Sequence, residues 1–203
     1  FSPKDLCTIG YLDKIVKAGV SVLKIEGRGR SPEYVKMVTE CYHEALEAIY
    51  DQTFNIEKIN AWMDRLRSVY NRDFWDGYYL GQRLGEWSHN YGSKATHKKV
   101  YIGKCTNFFQ KIGVAEFLLE AQTLSVGDEI LVTGETTGAY EDVVEEVRVD
   151  LKPVEIVEKG TYFSIKTKAK NAAGQSTKTN IAIDSTNLEQ SMTNLGGQIE
   201  NNT

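Results

Sequence analysis

The sequence has few of the residues that build disulfide scaffolds and metal sites. Its 203 residues include only three cysteines and three histidines. The cysteines are Cys7, Cys41 and Cys105, an odd and widely spaced set without a C-x-x-C pair. They supply neither a disulfide framework nor the four thiolates of an all-cysteine metal site. A reduced, cytoplasmic chain is therefore expected.

Several catalytic signatures are also missing. The sequence contains no H-E-x-x-H zinc motif and no G-x-S-x-G nucleophile elbow. Two Glu-x-x-His spacings occur, Glu40 with His43 and Glu86 with His89, but a di-iron site needs two further glutamates on facing helices. We interpret both spacings as chance, so the sequence gives a peptidase no motif support.

Long apolar runs and a strong charge excess are absent too. No run of eighteen apolar residues occurs, so no membrane span is predicted, and no signal-peptide pattern opens the chain. The net charge of −4 argues against a strongly basic nucleic-acid surface but leaves room for a local RNA-binding patch. Because the first residue is not methionine and the opening resembles a strand end, we expect the chain to start inside a longer protein.

The composition divides the chain into three segments. Residues 1–92 show helical periodicity and one β-branched run, residues 93–169 have short strands with glycine turns, and residues 170–203 are polar. The last segment is expected to be a flexible tail with at most a weak helix at 188–192. Its few large apolar side chains cannot offset the entropy lost on ordering.

The fold class predicted is α+β in several parts. In the first segment, a short helix, Gly19 at its C-cap and an apolar run over residues 20–25 are typical of the last α/β elements of a (β/α) barrel. Helices open at Ser31-Pro32 and at Asn55. The second segment predicts a small β-barrel, whose L-x-V-G-D-x-I and K-G-x-x-F-x-I motifs resemble domain 2 of elongation factor Tu.

The stretch VLKIEGR, residues 22–28, predicts a buried strand that ends in a charged rim. Lys24 and Glu26 share strand parity and would point toward a barrel mouth, where active sites gather. A buried ion pair costs desolvation unless it is well satisfied, and proteins tolerate such pairs mostly where chemistry uses them, so Lys24, Glu26 and Arg28 are candidate catalytic residues. Arg28 and Arg30 precede a helix N-terminus, a natural anion site, which makes Arg30 a candidate for substrate binding. The alternative is a solvated turn.

An ordered set of motifs resembles one enzyme family. S-P-K-D-L-C at residues 2–7, L-K-I-E-G-R at 23–28, S-x-x-Y-V at 31–35 and N-R-x-F-x-x-G-Y at 71–78 are similar to the C-terminal half of peptidase family U32 proteins. Residues 99–168 resemble that family's C-terminal β-barrel domain. The family was named for collagenase-like proteolysis, and several members are linked to hydroxylation of transfer or ribosomal RNA.

The resemblance implies a fragment of a U32 enzyme, with iron–sulfur-dependent RNA hydroxylation in the intact protein. The alternatives are a collagenase-like peptidase and a non-catalytic barrel that binds RNA or a partner. Relatives of the RNA-modifying type hold a 4Fe–4S cluster with four cysteines, and the last of these corresponds to Cys7. The other three positions are absent here. Neither a cluster nor catalysis is therefore expected of this chain alone.

The same resemblance implies partners and further site residues. The expected partners are an RNA or protein substrate and the missing N-terminal half of the barrel, with no membrane. Asn71 and Arg72 of the N-R-x-F motif are assigned to substrate binding. The chain departs from the family at Asp73, where glycine is usual, and from Asn171 onward, where a basic R-R-x-D-x-L-Y-type ending is usual.

Overall fold

The computed structural model describes residues 2–89, 92–135, 137–167 and 179–184, and the chain forms two compact units. Unit 1 is residues 1–96 and unit 2 is residues 97–203. The helices of the described residues, all in unit 1, are a 3-10 helix, Ile9–Tyr11, then α1, Leu12–Lys17, α2, Pro32–Tyr50, and α3, Ile56–Ser68. The strands of unit 1 are β1, Ser2–Pro3, β2, Asp5–Leu6, β3, Phe74–Trp75, and β4, Trp87–Ser88. The strands of unit 2 are β5, Lys99–Phe109, β6, Val114–Leu119, β7, Leu124–Ser125, β8, Glu129–Gly134, β9, Gly138–Val143, β10, Val147–Val149, β11, Lys152–Val154, β12, Ile156–Val157, β13, Tyr162–Lys166, and β14, Asn180–Asp184.

Helices α2 and α3 begin where the local sequence predicts. Pro32 occupies the first helical position of α2, where its missing N–H costs nothing. The side chain of Asn55 caps α3 by accepting the backbone N–H of Lys58 at 2.9 Å. The two helices pack through one apolar face each, together with the 3-10 helix and α1. The buried residues of this core are Cys7, Ile9, Leu12, Val38, Cys41, Ala45, Ala48, Trp62 and Leu66.

The N-terminal segment of unit 1 is held by strand pairs of only two residues. Strand β1 pairs antiparallel with β4, and β2 pairs parallel with β3. Such short ladders contribute few hydrogen bonds, so side-chain contacts have to supply the remaining stability. Because the described strands of unit 1 are all this short, the (β/α) barrel remains a prediction.

The buried strand predicted at VLKIEGR is wrong for the described structure. Residues 20–27 form neither helix nor strand, and Val22 is 82% exposed. A parallel strand needs neighbours to satisfy its backbone N–H and C=O groups. The described residues offer this segment no such neighbour, so Val20, Val22 and Leu23 are exposed, while Ile25 is partly buried against the core of unit 1.

Unit 2 is built on one antiparallel sheet of eight strands. Their order is β11-β10-β13-β6-β5-β14-β8-β9, and β7 and β12 form a separate pair. Gly103 lies at a close crossing of β5 and β6, where a Cβ atom would collide with the Leu118 carbonyl oxygen. The inward side chains alternate along the strands, and the rings of Phe117 and Phe163 stack with centroids 5.5 Å apart. The likeness to domain 2 of elongation factor Tu remains a prediction.

Strand β14 corrects the prediction of a flexible tail for residues 180–184. This strand lies between β5 and β8, and the side chains of Ile181 and Ile183 are buried in the core of unit 2. The polar average over residues 170–203 hides a five-residue alternation that is typical of a half-buried strand. The weak helix predicted at 188–192 lies outside the described residues.

Candidate functional site

A groove with a volume of about 630 Å³ opens in unit 1. Five of the seven predicted site residues line it, namely Cys7, Lys24, Glu26, Arg30 and Arg72. Arg28 and Asn71 are not among the lining residues. Concave sites of this size hold a ligand as large as a nucleotide, so the groove is the candidate functional site.

Asp5 joins two of the predicted substrate-binding residues. Its Oδ1 atom accepts from Nε and Nη2 of Arg72, at 3.2 and 2.9 Å, and from Nη2 of Arg30 at 3.1 Å. Its Oδ2 atom accepts the backbone N–H of Arg72 at 2.9 Å. The pairing of β2 with β3 brings Asp5 and Arg72 together although they are 67 residues apart. One carboxylate therefore holds two guanidinium groups in place.

Two tyrosine rings also hold Arg30. Its guanidinium carbon lies 4.2 Å from the ring centroid of Tyr70 and 5.3 Å from that of Tyr34. A guanidinium between aromatic faces gains cation–π attraction and loses rotational freedom. Burial raises the pKa of the Tyr34 phenol, while the charge of Arg30 acts in the opposite direction. The phenol therefore stays neutral, and the two rings hold the guanidinium of Arg30 in one orientation.

The predicted catalytic residues lie in a solvated turn. The Lys24 ammonium and the Glu26 carboxylate are 3.7 Å apart, with side chains 85% and 69% exposed. Glu26 also accepts the backbone N–H of Arg28 at 2.9 Å. The prediction of a buried ion pair is therefore wrong, because both side chains are exposed. An exposed pair loses little solvation and contributes little to stability. The catalytic roles of Lys24, Glu26 and Arg28 remain predictions.

Asn71 has a structural role in the turn before β3. Its side-chain amide is buried and donates to the carbonyl oxygens of Arg67 and Val69, at 3.2 and 2.9 Å. Its Oδ1 atom accepts the backbone N–H of Asp73 at 3.1 Å. These bonds engage both ends of the amide inside the protein. The substrate-binding role predicted for Asn71 remains a prediction, without support from this geometry.

Asp73 occupies the position where the U32 motif usually has glycine. Its φ angle is +74°, a left-handed conformation that aspartate tolerates better than most residues. Its carboxylate lies 3.1 Å from the Lys94 ammonium and accepts the backbone N–H of Phe74 at 3.1 Å. The hydrogen bond from Lys94 holds the pKa of Asp73 below its usual range. The side chain thus supplies contacts that glycine lacks.

Cys7 is a buried thiol at the floor of the groove. Its backbone N–H donates to the Trp75 carbonyl oxygen at 3.0 Å, and its Sγ lies 3.7 Å from the Met63 sulfur. Burial raises the pKa of the thiol, so it is protonated at neutral pH. Within the described ranges, no three histidine, cysteine or acidic residues gather into a possible metal site. The described residues therefore do not fit an iron–sulfur cluster, which needs four thiolates.

Sequence reasoning missed Asp5, Tyr34 and Tyr70. Asp5 lies inside the S-P-K-D-L-C motif, two residues before the cysteine, so the motif offered a signal. Tyr34 lies inside the S-x-x-Y-V motif, whereas Tyr70 carries no local signal. The relation of both rings to Arg30 arises only when α2 and the segment after α3 come together. No helix among the described residues is both long and apolar enough to cross a bilayer.

Comparison with known proteins gives a consistent set of relatives. Residues 1–89 match the model of peptidase family U32. A collagenase of Porphyromonas gingivalis is 54% identical over 169 residues, which cover 83% of this chain and 41% of that protein. The tRNA hydroxylation protein P1 of Bacillus subtilis is 28% identical over 152 residues, which cover 72% of this chain and 34% of that protein.

Solved structures are also similar to part of the chain. The C-terminal domain of a U32 peptidase from Geobacillus thermoleovorans matches with a TM-score of 0.36 and 13% sequence identity. The match covers 41% of this chain and 90% of that domain. Among the curated relatives, this chain spans about two fifths of the length of the collagenase and about one third of the length of the tRNA hydroxylation protein.

Proposed function

Because residues 1–89 belong to peptidase family U32, we propose that the natural protein containing this sequence hydroxylates RNA. Unit 1 then supplies part of the surface that holds the RNA. The observation that carries the proposal is the chemistry of the groove, where Arg30 and Arg72 are bonded to Asp5 and Lys24 lines the same groove. Guanidinium and ammonium donors are the groups that proteins use against phosphate. The relative from Bacillus subtilis, named as a tRNA hydroxylation protein, supports the same proposal.

Among the described residues, the groove lacks the pair of a nucleophile and a neighbouring general base that proteolysis by an activated side chain uses. Burial keeps Cys7 protonated, and the Thr8 hydroxyl bonds to the Tyr42 hydroxyl at 3.1 Å. The pKa of Tyr42 is itself raised by burial, so its phenol stays protonated and is a poor general base. None of the described residues that line the groove is a histidine. An activated nucleophile would need a neighbouring base that these residues do not provide.

An iron–sulfur cluster in the natural protein remains a prediction. Such a cluster would take Cys7 as one ligand and would supply redox chemistry when bound. Cys7 is one protonated thiol in the described structure, so no chemical step is assigned to it. The role derived for unit 1 is limited to binding and orienting the substrate.

A collagenase-like peptidase is the second candidate function. It is favoured by the collagenase of Porphyromonas gingivalis, which shares 54% identity over 83% of this chain. That function would require a nucleophile or metal from residues outside the groove described here. The two candidates predict different products, which allows one experiment to separate them.

The experiment expresses the natural protein in a Bacillus subtilis strain that lacks both P1 and a second similar protein of that organism, tRNA hydroxylation protein P2. Mass spectrometry of tRNA digests then measures hydroxylated nucleosides, and the purified protein is assayed in parallel on gelatin. We expect hydroxylated nucleosides to return and gelatin to stay intact. Gelatin cleavage without hydroxylation would establish the second candidate, and failure of both assays would contradict both.

A further inference from the structure

We propose that Arg30 and Arg72 form a binding site for one backbone phosphate of RNA, with Asp5 holding the two guanidinium groups in position. The inference rests on the proposed function, because it names the part of the RNA that the groove recognises. It goes beyond that function by assigning the contact to two residues. It joins Arg30, which the sequence made a candidate for anion binding, to Arg72 of the N-R-x-F motif.

Charge is the first argument for the phosphate site. Two guanidinium groups share the single carboxylate of Asp5, so one positive charge remains uncompensated between them. The neighbouring cations do not have this excess, because Lys4 pairs with Glu86 at 2.6 Å and Lys94 pairs with Asp73 at 3.1 Å. Asp5 is only 15% exposed, so the local charge is screened less than a surface charge.

Geometry is the second argument. A guanidinium has five N–H donors, and the bonds to Asp5 engage only some of them on each arginine. Arg72 is fixed by its own backbone bond to Asp5, and Arg30 is fixed between Tyr34 and Tyr70. Side chains that are already oriented lose little entropy on binding, which favours planar, bidentate contact with an oxyanion.

The size and lining of the groove favour a nucleotide over a free anion. A phosphate fills only a small part of a 630 Å³ groove. Apolar side chains, Ile15, Val38 and Leu66 among them, line the same groove beside the charged residues. A phosphodiester at the arginine pair would leave its nucleoside against this apolar wall. A small oxyanion would use the charge and leave the wall empty.

The test measures binding of a fluorescent RNA oligonucleotide to the natural protein by anisotropy, as a function of salt. We expect Arg72→Gln to raise Kd about tenfold, since a charge-assisted bond contributes on the order of 1.4 kcal/mol or more. The slope of log Kd against log salt should fall by about 0.7, the value for one single-strand phosphate contact. Lys17→Gln removes the same charge from an exposed position outside the groove and should leave both quantities unchanged.

Two further measurements protect the test against misfolding and against the wrong ligand. Arg72→Lys keeps the charge, so it should keep the salt slope of the wild type while losing part of the affinity. RNA with neutral methylphosphonate linkages should bind wild type and Arg72→Gln equally. Equal salt slopes for Arg72→Gln and Lys17→Gln would overturn the proposal. The proposal would also be overturned if inorganic phosphate binds the wild type and not Arg72→Gln, and does not change RNA binding. The site would then bind a small anion.

Failure of this inference is distinguishable from failure of the proposed function. If Arg72→Gln has the salt slope of the wild type while hydroxylated tRNA is still formed, the proposed function holds and the phosphate site is rejected. If Arg72→Gln lowers the salt slope but no hydroxylated nucleosides are formed, the groove binds RNA and the proposed hydroxylation is rejected.

Discussion

Unit 2 is stabilised by apolar side chains packed around a continuous sheet, whereas the N-terminal segment of unit 1 is held by ion pairs. Phe117, Phe163 and Ile181 are buried in the core of unit 2. In unit 1, the two-residue strands are reinforced by contacts of Lys4 with Glu86 and of Asp5 with two arginines. The difference shows where each unit can change. An apolar core tolerates little loss of volume, while a charged lining can exchange one of its partners for a ligand.

The largest effect is expected from Phe117→Ala. The ring is fully buried and stacks on Phe163, so its removal should lower the free energy of unfolding of unit 2 by about 3–5 kcal/mol. Urea unfolding followed by circular dichroism measures the loss. Phe109→Ala removes a ring from a much more exposed position of β5 and should cost far less. Equal costs would show that the core assignment is wrong.

Ile181→Ala tests the strand that composition missed. Ile181 is fully buried between β5 and β8, so we expect a loss of about 2–4 kcal/mol in the free energy of unfolding of unit 2. Ile112→Ala, at an exposed site in the same unit, is the matched control. If Ile181→Ala behaves like this control in urea unfolding, residues 180–184 do not contribute to the core.

Asp5→Asn tests whether charge holds the N-terminal segment of unit 1. The variant keeps the side-chain shape but leaves two guanidinium groups without their carboxylate, so unit 1 should lose about 1.5–3 kcal/mol. Tryptophan fluorescence during urea unfolding reports on unit 1, because Trp62, Trp75 and Trp87 all belong to it. Asp64→Asn breaks an exposed pair with Arg67 and should cost much less. Equal losses would contradict the role of Asp5.

The smallest effect is expected from Glu44→Gln, and it depends on pH. The hydrogen bond from Arg65 holds the pKa of Glu44 below its usual range. A lowered folded-state pKa stabilises unit 1 above the unfolded pKa, and this contribution is lost as pH falls through the folded value. Both side chains are more than a third exposed, so the variant should cost at most about 1 kcal/mol at pH 7.

The pH dependence provides the check on Glu44. The difference between wild type and Glu44→Gln should shrink once the pH falls below the usual range of a glutamate, as the carboxylate becomes protonated. Glu57→Gln changes the same charge at an exposed position of α3 and should show a smaller difference. A difference for Glu44→Gln that stays constant from pH 7 to about 3 would exclude the pairing with Arg65 as its cause.

Local signals in the sequence were enough to predict much of the fold. Pro32 and the capping side chain of Asn55 mark where α2 and α3 begin. Both signals are local and require no long-range contact. Glycine turns and apolar alternation likewise indicated several strands of unit 2, including β6 and β13. Such features depend only on residues close together in the chain, so they can be recognised from a single sequence.

Long-range contacts account for what the sequence did not reveal. The segment VLKIEGR has the composition of a strand, but strand formation depends on partners that composition does not specify. Asp5 meets Arg30 and Arg72 across 25 and 67 residues, so no window of the sequence shows the three together. The S-P-K-D-L-C motif nevertheless contained Asp5 and the N-R-x-F motif contained Arg72. The prediction lacked the role of Asp5 and its contact with the two arginines.

The position of β14 has a consequence for synthesis on the ribosome. Translation proceeds from the N-terminus, so β5 and β8 emerge long before residues 180–184, the strand that separates them in the sheet. During that interval each exposes an unpaired edge, which can pair with another nascent chain. The sheet can be completed only after residue 184 has left the exit tunnel. Unit 2 therefore folds late relative to its own synthesis, and a ribosome stalled before that point would present an aggregation-prone intermediate.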